Sequence, residues 1–285
     1  MKRLRGILFW LLAVTAGPAL AEAPSGLRFL EARLTNLSSA SPGNIGIAAL
    51  DLQTGEMVSV HGDEAFPMAS TVKVAVAANY LAQVEFGRRS LDDRIGGRTA
   101  AHLMDAMITR SDNRATDLLI RNLGGPAKVQ EWLDQRDVSG VRIDRTIAQL
   151  LAAKRDLRDV RDSATPKAMV ELLRRLDNGT LLRPWSRQYL LGLMARCVTG
   201  KNRMRGMLPA GTRVEHKTGT LANYASDVGF ITLPNGRRLA VAFFARSAPN
   251  RPQTIAAAAR AVYDGFVWYI RSPFPGIYNN AYGTP

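Results

Sequence analysis

Strand-like segments occupy the two ends of this 285-residue chain, and the long stretch between them is helical in pattern. Asn44 to Gln53 and Glu56 to His61 read as strands joined by a tight turn at Thr54-Gly55. Strand signals return at Thr212 to Thr218, Asp227 to Leu233 and Arg238 to Ala245, with Pro234-Asn235-Gly236 turning the last two into a hairpin. From Ser70 to about Arg196 the pattern is helical, punctuated by Gly87, Gly124-Gly125-Pro126, Gly140, Thr165-Pro166 and Asn178-Gly179. Leu27, Leu30, Leu34 and Leu37 share one face of a first helix, and Ile255, Val262, Phe266 and Ile270 share one face of a last one. Strands must pair their backbone groups, and the economical solution joins the two ends in one sheet. The expectation is an α/β chain: one antiparallel sheet built from both chain ends, flanked by the N- and C-terminal helices, plus an all-helical lobe. The expected boundaries are 22–65 and 212–271 for the α/β domain, 66–211 for the helical domain, and 272–285 for a tail without periodicity. A cleft between two such lobes is a natural ligand site.

Composition narrows the function classes. With 46% hydrophobic and 22% charged residues, 24 Gly and 14 Pro, the chain is neither a disordered polymer, a collagen-like repeat nor a multi-span membrane protein. One cysteine, Cys197, excludes an internal disulfide framework. The three histidines, His61, His102 and His216, are too scattered for the usual zinc spacing, so no metal and no cofactor is expected. The net charge of +14 permits anionic partners. No basic run is interleaved with aromatics, so a nucleic-acid partner is not expected and the arginines read as a solvated surface. A monomer is expected.

Residues 1–21 form a separate unit. Lys2, Arg3 and Arg5 precede the apolar run Ile7 to Ala16, and Ala19-Leu20-Ala21 is a small-x-small cleavage site. This is the pattern of a secretory signal peptide. The run falls short of the ~20 apolar residues that span a bilayer, so no stable membrane span is expected after cleavage. The mature chain is expected to be periplasmic or secreted.

Three short motifs carry chemistry. Ser70-Thr71-Val72-Lys73 opens an apolar helix, where residues i and i+3 share a face. A serine becomes a useful nucleophile when a neighbouring base takes its proton. Lysine serves as that base if burial or a second cation lowers its pKa. Ser111-Asp112-Asn113 begins a second helical stretch and offers a proton relay and an amide donor, although the same residues suit an ordinary helix cap. Lys217-Thr218-Gly219-Thr220 ends a strand, where glycine admits a close backbone approach and the ammonium and hydroxyls suit a carboxylate.

In this order and on these elements, Ser-x-x-Lys, Ser-Asp-Asn and Lys-Thr-Gly are the signature of class A β-lactamases and penicillin-binding proteins. The sequence resembles the class A branch from about Leu27 to Ile270, including Ile143-Asp-Arg145, Arg161-Asp162 and Asp227-Val-Gly229. The resemblance implies Ser70 as the acylated nucleophile, Lys73 as its proton acceptor, Ser111 as the relay to the leaving nitrogen and Asn113 as the partner of the substrate amide. It implies a carboxylate site at Lys217, Thr218, Gly219 and Thr220, and an oxyanion hole at the Ser70 and Thr220 backbone N–H groups. Arg203 matches a position where some class A enzymes anchor that carboxylate; the alternative is plain surface charge.

Two departures bear on function. Class A β-lactamases follow the Asp-Arg pair with Glu-x-x-Leu-Asn, whose glutamate activates the deacylating water. Here Ile147 and Leu151 stand at the glutamate and asparagine positions. Asp156 or Asp159 would have to reach in from a longer loop to replace that base. Only 41 positions separate Ser70 from Ser111, and Arg94 to Thr99 replaces an aromatic gate, so a more open cleft is expected. The first expectation is an acyl-serine DD-peptidase-like enzyme acting on peptidoglycan stem peptides, with slow β-lactam turnover. A true β-lactamase using another base is the alternative, and a non-catalytic wall-fragment binder is the third.

Overall fold

The computed structural model describes residues 25–40, 44–154, 156–247 and 249–271. The expected signal peptide and the 272–285 tail lie outside the described residues. A first helix, α1 (Arg28–Ala40), is followed by strands β1 (Asn44–Asp51) and β2 (Met57–Val60). At the far end of the chain come β7 (Val214–Leu221), β8 (Tyr224–Thr232), β9 (Arg238–Arg246) and helix α9 (Arg251–Arg271). Between them lie β3 (Phe66–Pro67), α2 (Lys73–Glu85), β4 (Arg94–Ile95), β5 (Arg98–Thr99), α3 (Ala100–Thr109) and α4 (Asn113–Asn122). The series continues with α5 (Pro126–Asp134), α6 (Ile147–Ala152), β6 (Ser163–Ala164), α7 (Pro166–Asp177) and α8 (Pro184–Ala195).

The five long strands form one antiparallel sheet in the order β2-β1-β9-β8-β7. The chain ends meet at β1 and β9, where Ile47 pairs with Phe243 and Ala49 with Val241. β9 is apolar on both faces because both faces are covered. Leu239, Val241, Phe243 and Ala245 pack with Leu30 and Leu34 of α1 and Ile255, Val262 and Phe266 of α9. Ala240, Ala242 and Phe244 point the other way, into the core shared with the middle helices. Strands buried on both faces lose the polar alternation of a half-exposed strand.

The middle of the chain is not purely helical. β3 pairs with β6, and β4 with β5, in two small two-stranded sheets. Pieces of two residues carry no readable period, and only tertiary pairing creates them. β8 also starts three residues earlier than the sequence pattern suggests. A left-handed Asn223 turns the chain tightly after β7, and Tyr224, Ala225 and Ser226 pair on both sides.

Candidate active site

Ser70 lies in a 3-10 turn, Ala69–Val72, that runs directly into α2. Ala69 before it is left-handed, with φ 50°, and so is Ser111 in the second motif, with φ 61°. Such left-handed non-glycine residues cost of order 1–3 kcal/mol each and persist only where packing holds them. Hydrogen bonds to its neighbours hold the Ser70 turn. Met68 N–H donates to Asp162 O at 2.9 Å, Thr71 Oγ1 donates to Met68 O at 2.8 Å, and the buried Tyr224 hydroxyl donates to Pro67 O.

Lys73 is fully buried on α2, and its Nζ makes three hydrogen bonds: to Ser111 O at 2.8 Å, Ser111 Oγ at 3.1 Å and Asn113 Oδ1 at 2.8 Å. None of these goes to Ser70 Oγ, which shares the face through its i, i+3 spacing in the turn. Ser111 Oγ is also 3.0 Å from Lys217 Nζ, so one hydroxyl bridges two amines. In the second motif Asp112 caps α4 by accepting Ala115 N–H at 2.8 Å, while Ser111 and Asn113 face Lys73.

Burial, and then the Lys217 cation, bring the Lys73 pKa down from 10.5 to about 7, against the upward pull of Asp112 and Asp117. Burial likewise brings Lys217 down to about 8. Three acceptors satisfy an ammonium. A neutral amine has only two N–H bonds and a lone pair, and the Ser111 hydroxyl can turn to donate to that lone pair while accepting from Lys217. The geometry thus supplies a proton path between Lys73 and the space beside Ser111.

β7 is an edge strand of the sheet and runs alongside the Ser70 turn. Gly219 is what lets it approach: a Cβ there would fall 2.4 Å from Ser226 Oγ and 2.7 Å from Met68 O. Thr218 Oγ1 is 2.5 Å from Thr199 Oγ1, and Cys197 Sγ lies 3.3 Å beyond on Thr199. Arg203 sends Nη1 to Gly219 O at 2.8 Å and Ser226 O at 3.0 Å, and Nη2 to Thr220 Oγ1 at 2.7 Å. Arg203 therefore sits on the third motif and is not free surface charge.

Ile147 opens α6 and is 4% exposed, while Leu151 is 47% exposed. Thr146 and Gln149 form a capping box at the helix start. The loop neck closes as Asp162 accepts Asp144 N–H at 2.8 Å, Arg145 N–H at 3.0 Å and Arg145 Nε at 2.5 Å. Neither loop aspartate reaches inward. Asp159 is paired with Arg161 and Arg145, and the hydrogen bonds from the Arg161 side chain and backbone N–H lower its carboxyl pKa to about 2. Asp156 is exposed and accepts Arg158 N–H in its own turn. Residues outside the motifs also matter here. Asp117 binds the backbone of α6, and His216 pairs with Asp227 behind β7. His216 stood beside Lys217 in the sequence, but nothing in the chain order marked its partner.

A five-stranded antiparallel sheet backed by two terminal helices, with a serine-bearing turn and two buried lysines at its edge, defines the serine β-lactamase-like class of hydrolases. The model of the "Beta-lactamase enzyme family" matches residues 29–266, and the chain belongs to that family. The chain is 32% identical over 248 residues to "Carbapenem-hydrolyzing beta-lactamase KPC" of Klebsiella oxytoca, covering 78% of this chain and 84% of that one. It is 33% identical over 258 residues to "Beta-lactamase OXY-2" of Klebsiella oxytoca, covering 82% and 88%. Among solved structures, the class A β-lactamase described as the last common ancestor of Gram-negative bacteria superposes with TM-score 0.79 at 37% identity, covering 83% of this chain and 99% of that one. A β-lactamase from Chitinophaga pinensis superposes with TM-score 0.78 at 26% identity, covering 84% and 99%. No helix among the described residues is long and apolar enough to cross a membrane.

Proposed function

We propose that this protein is an exported acyl-serine hydrolase that β-lactams acylate at Ser70 and that releases the acyl group slowly. The observation that carries acylation is the Ser111 hydroxyl bridged between Lys73 Nζ and Lys217 Nζ beside the Ser70 turn. Neutral Lys73 takes the Ser70 Oγ proton as that oxygen attacks the lactam carbonyl. The Thr220 and Ser70 backbone N–H groups receive the oxyanion, a role in which one donor contributes about 3 kcal/mol. The proton passes from Lys73 through Ser111 to the nitrogen as the C–N bond breaks. Lys217, Thr218, Thr220 and Arg203 hold the substrate carboxylate, and Asn113 its amide. The names of the relatives favour β-lactams as substrates.

Slow release follows from Ile147. No carboxylate stands at that position, and Asp159 is held in ion pairs with Arg161 and Arg145. A second reading, a DD-peptidase-like enzyme acting on peptidoglycan stems, is favoured by the short β4–β5 hairpin that fills the stretch between α2 and α3. A fluorescent penicillin separates the outcomes. A persistent stoichiometric adduct on the wild type, absent from Ser70→Ala, supports the proposal. Rapid consumption of the penicillin refutes slow release and makes the protein an ordinary β-lactamase with another base.

A further inference from the structure

Behind the anion pocket lies a polar pair that the three motifs do not use. His216 and Asp227 are both fully buried, with Nδ1 and Oδ1 2.8 Å apart. Strand register brings them together. Thr218 lies opposite Asp227, and His216 shares the Thr218 face two residues away. A carboxylate accepts and does not donate, so the ring proton facing it sits on Nδ1 and His216 is the donor. His216 Nε2 has no hydrogen-bond partner among the described residues, so the ring's one polar contact is spent on orienting Asp227.

Asp227 has a second task. Its Oδ2 accepts Met204 N–H at 3.2 Å, at the first residue of the 3-10 turn Met204–Met207. The residue before that turn is Arg203, whose guanidinium reaches back across β7 and β8 to Gly219 O, Ser226 O and Thr220 Oγ1. Arg203 Nε is buried without a hydrogen-bond partner among the described residues, where the guanidinium is held from its far end and by the backbone beneath it. Buried polar pairs rarely stabilise more than apolar residues of the same volume, and their best-attested use is to fix one arrangement.

We infer that His216 and Asp227 are positioning residues for the anion pocket: His216 orients Asp227, Asp227 anchors Met204, and that anchor sets Arg203 for a substrate carboxylate. This rests on the reading of Arg203 proposed above, and it adds two residues that touch no substrate.

The test measures non-covalent affinity in the Ser70→Ala chain by NMR titration of a penicillin, as the free acid and as its methyl ester. His216→Leu should weaken binding of the acid about tenfold, the scale of a lost hydrogen bond to a charged group, and leave the ester unchanged. His216→Asn, whose amide N–H can replace Nδ1–H, should restore the acid affinity. In an Arg203→Ala background His216→Leu should add nothing. Unchanged acid affinity in His216→Leu, an equal loss for acid and ester, or a loss additive with Arg203→Ala would each overturn the inference. If Arg203→Ala alone leaves the acid affinity unchanged, the underlying reading of Arg203 falls too, which separates the two failures. Should His216→Leu not fold, Asp227→Leu, which removes the acceptor of Met204 N–H, carries the same comparison.

Discussion

The carboxylate of Asp117 holds the backbone of Ile147, accepting its N–H at 2.7 Å on Oδ1 while Oδ2 takes the N–H of Ala148 at 3.0 Å. A buried aspartate on α4 thus fixes where α6 begins, whatever side chain stands at 147. Ile147→Glu should keep the loop in place and speed decay of an isolated penicilloyl-enzyme by about 10²–10⁴-fold, the usual contribution of a general base. Ile147→Glu/Leu151→Asn should be faster still, because the amide adds a partner for the water. Equal decay in all three proteins, timed by mass spectrometry of the isolated adduct, would show that residue 147 does not face the ester.

Acylation should rise with pH through about 7, where Lys73 becomes neutral. The measurement is the second-order rate of penicillin labelling across pH. A rate that climbs only near the ordinary lysine value of ~10.4 would refute a neutral Lys73 base.

The same depression shapes stability. The folded pKa of Lys73, about 7, lies below its ordinary 10.5, so between those values the unfolded chain binds the extra proton. The contribution of Lys73 to stability is therefore least below about pH 7 and should climb as pH rises towards the unfolded value, by about 1–3 kcal/mol after allowance for relaxation. Lys73→Met should make that climb smaller in urea titrations, leaving the part that comes from Lys217. An identical slope in both proteins would place the cost elsewhere.

Gly219→Ala should slow acylation at least about tenfold and cost roughly 1–3 kcal/mol, the scale of overpacking. The new methyl would press on Met68 O, a backbone atom that cannot rotate away, and would push β7 off the Ser70 turn. Thermal melts and labelling rates check both effects. Gly236→Ala, in a turn where a Cβ would meet nothing within 4 Å but φ is positive, is the control for backbone strain alone.

Chain order revealed the parts of the molecule whose chemistry is local. The two ends read as strands because β1 and β9 are long and apolar, and the three motifs read as chemistry because each packs its groups into three or four residues. What stayed hidden depends on register or on distant partners. β3 and β6 are too short to show a period, and His216 and Asp227 meet only through the β7–β8 ladder. Arg203 could be matched to a position but not oriented, because its acceptors are mostly backbone carbonyls. The spacing of Ser70 and Lys73 suggested a direct contact, yet the Lys73 amine is occupied by Ser111 and Asn113.

The clamp between Arg145 and Asp162 has a consequence for the loop it closes. It closes a short circuit across the base of the segment that begins with α6, so the ends of that segment are held beside the β3–β6 pair by a contact that does not involve the side chain at 147. Capture of a substrate is built into the rigid frame. In the proposed function its release depends on the segment that Ile147 opens, where one isoleucine would turn a recycling catalyst into a long-lived trap.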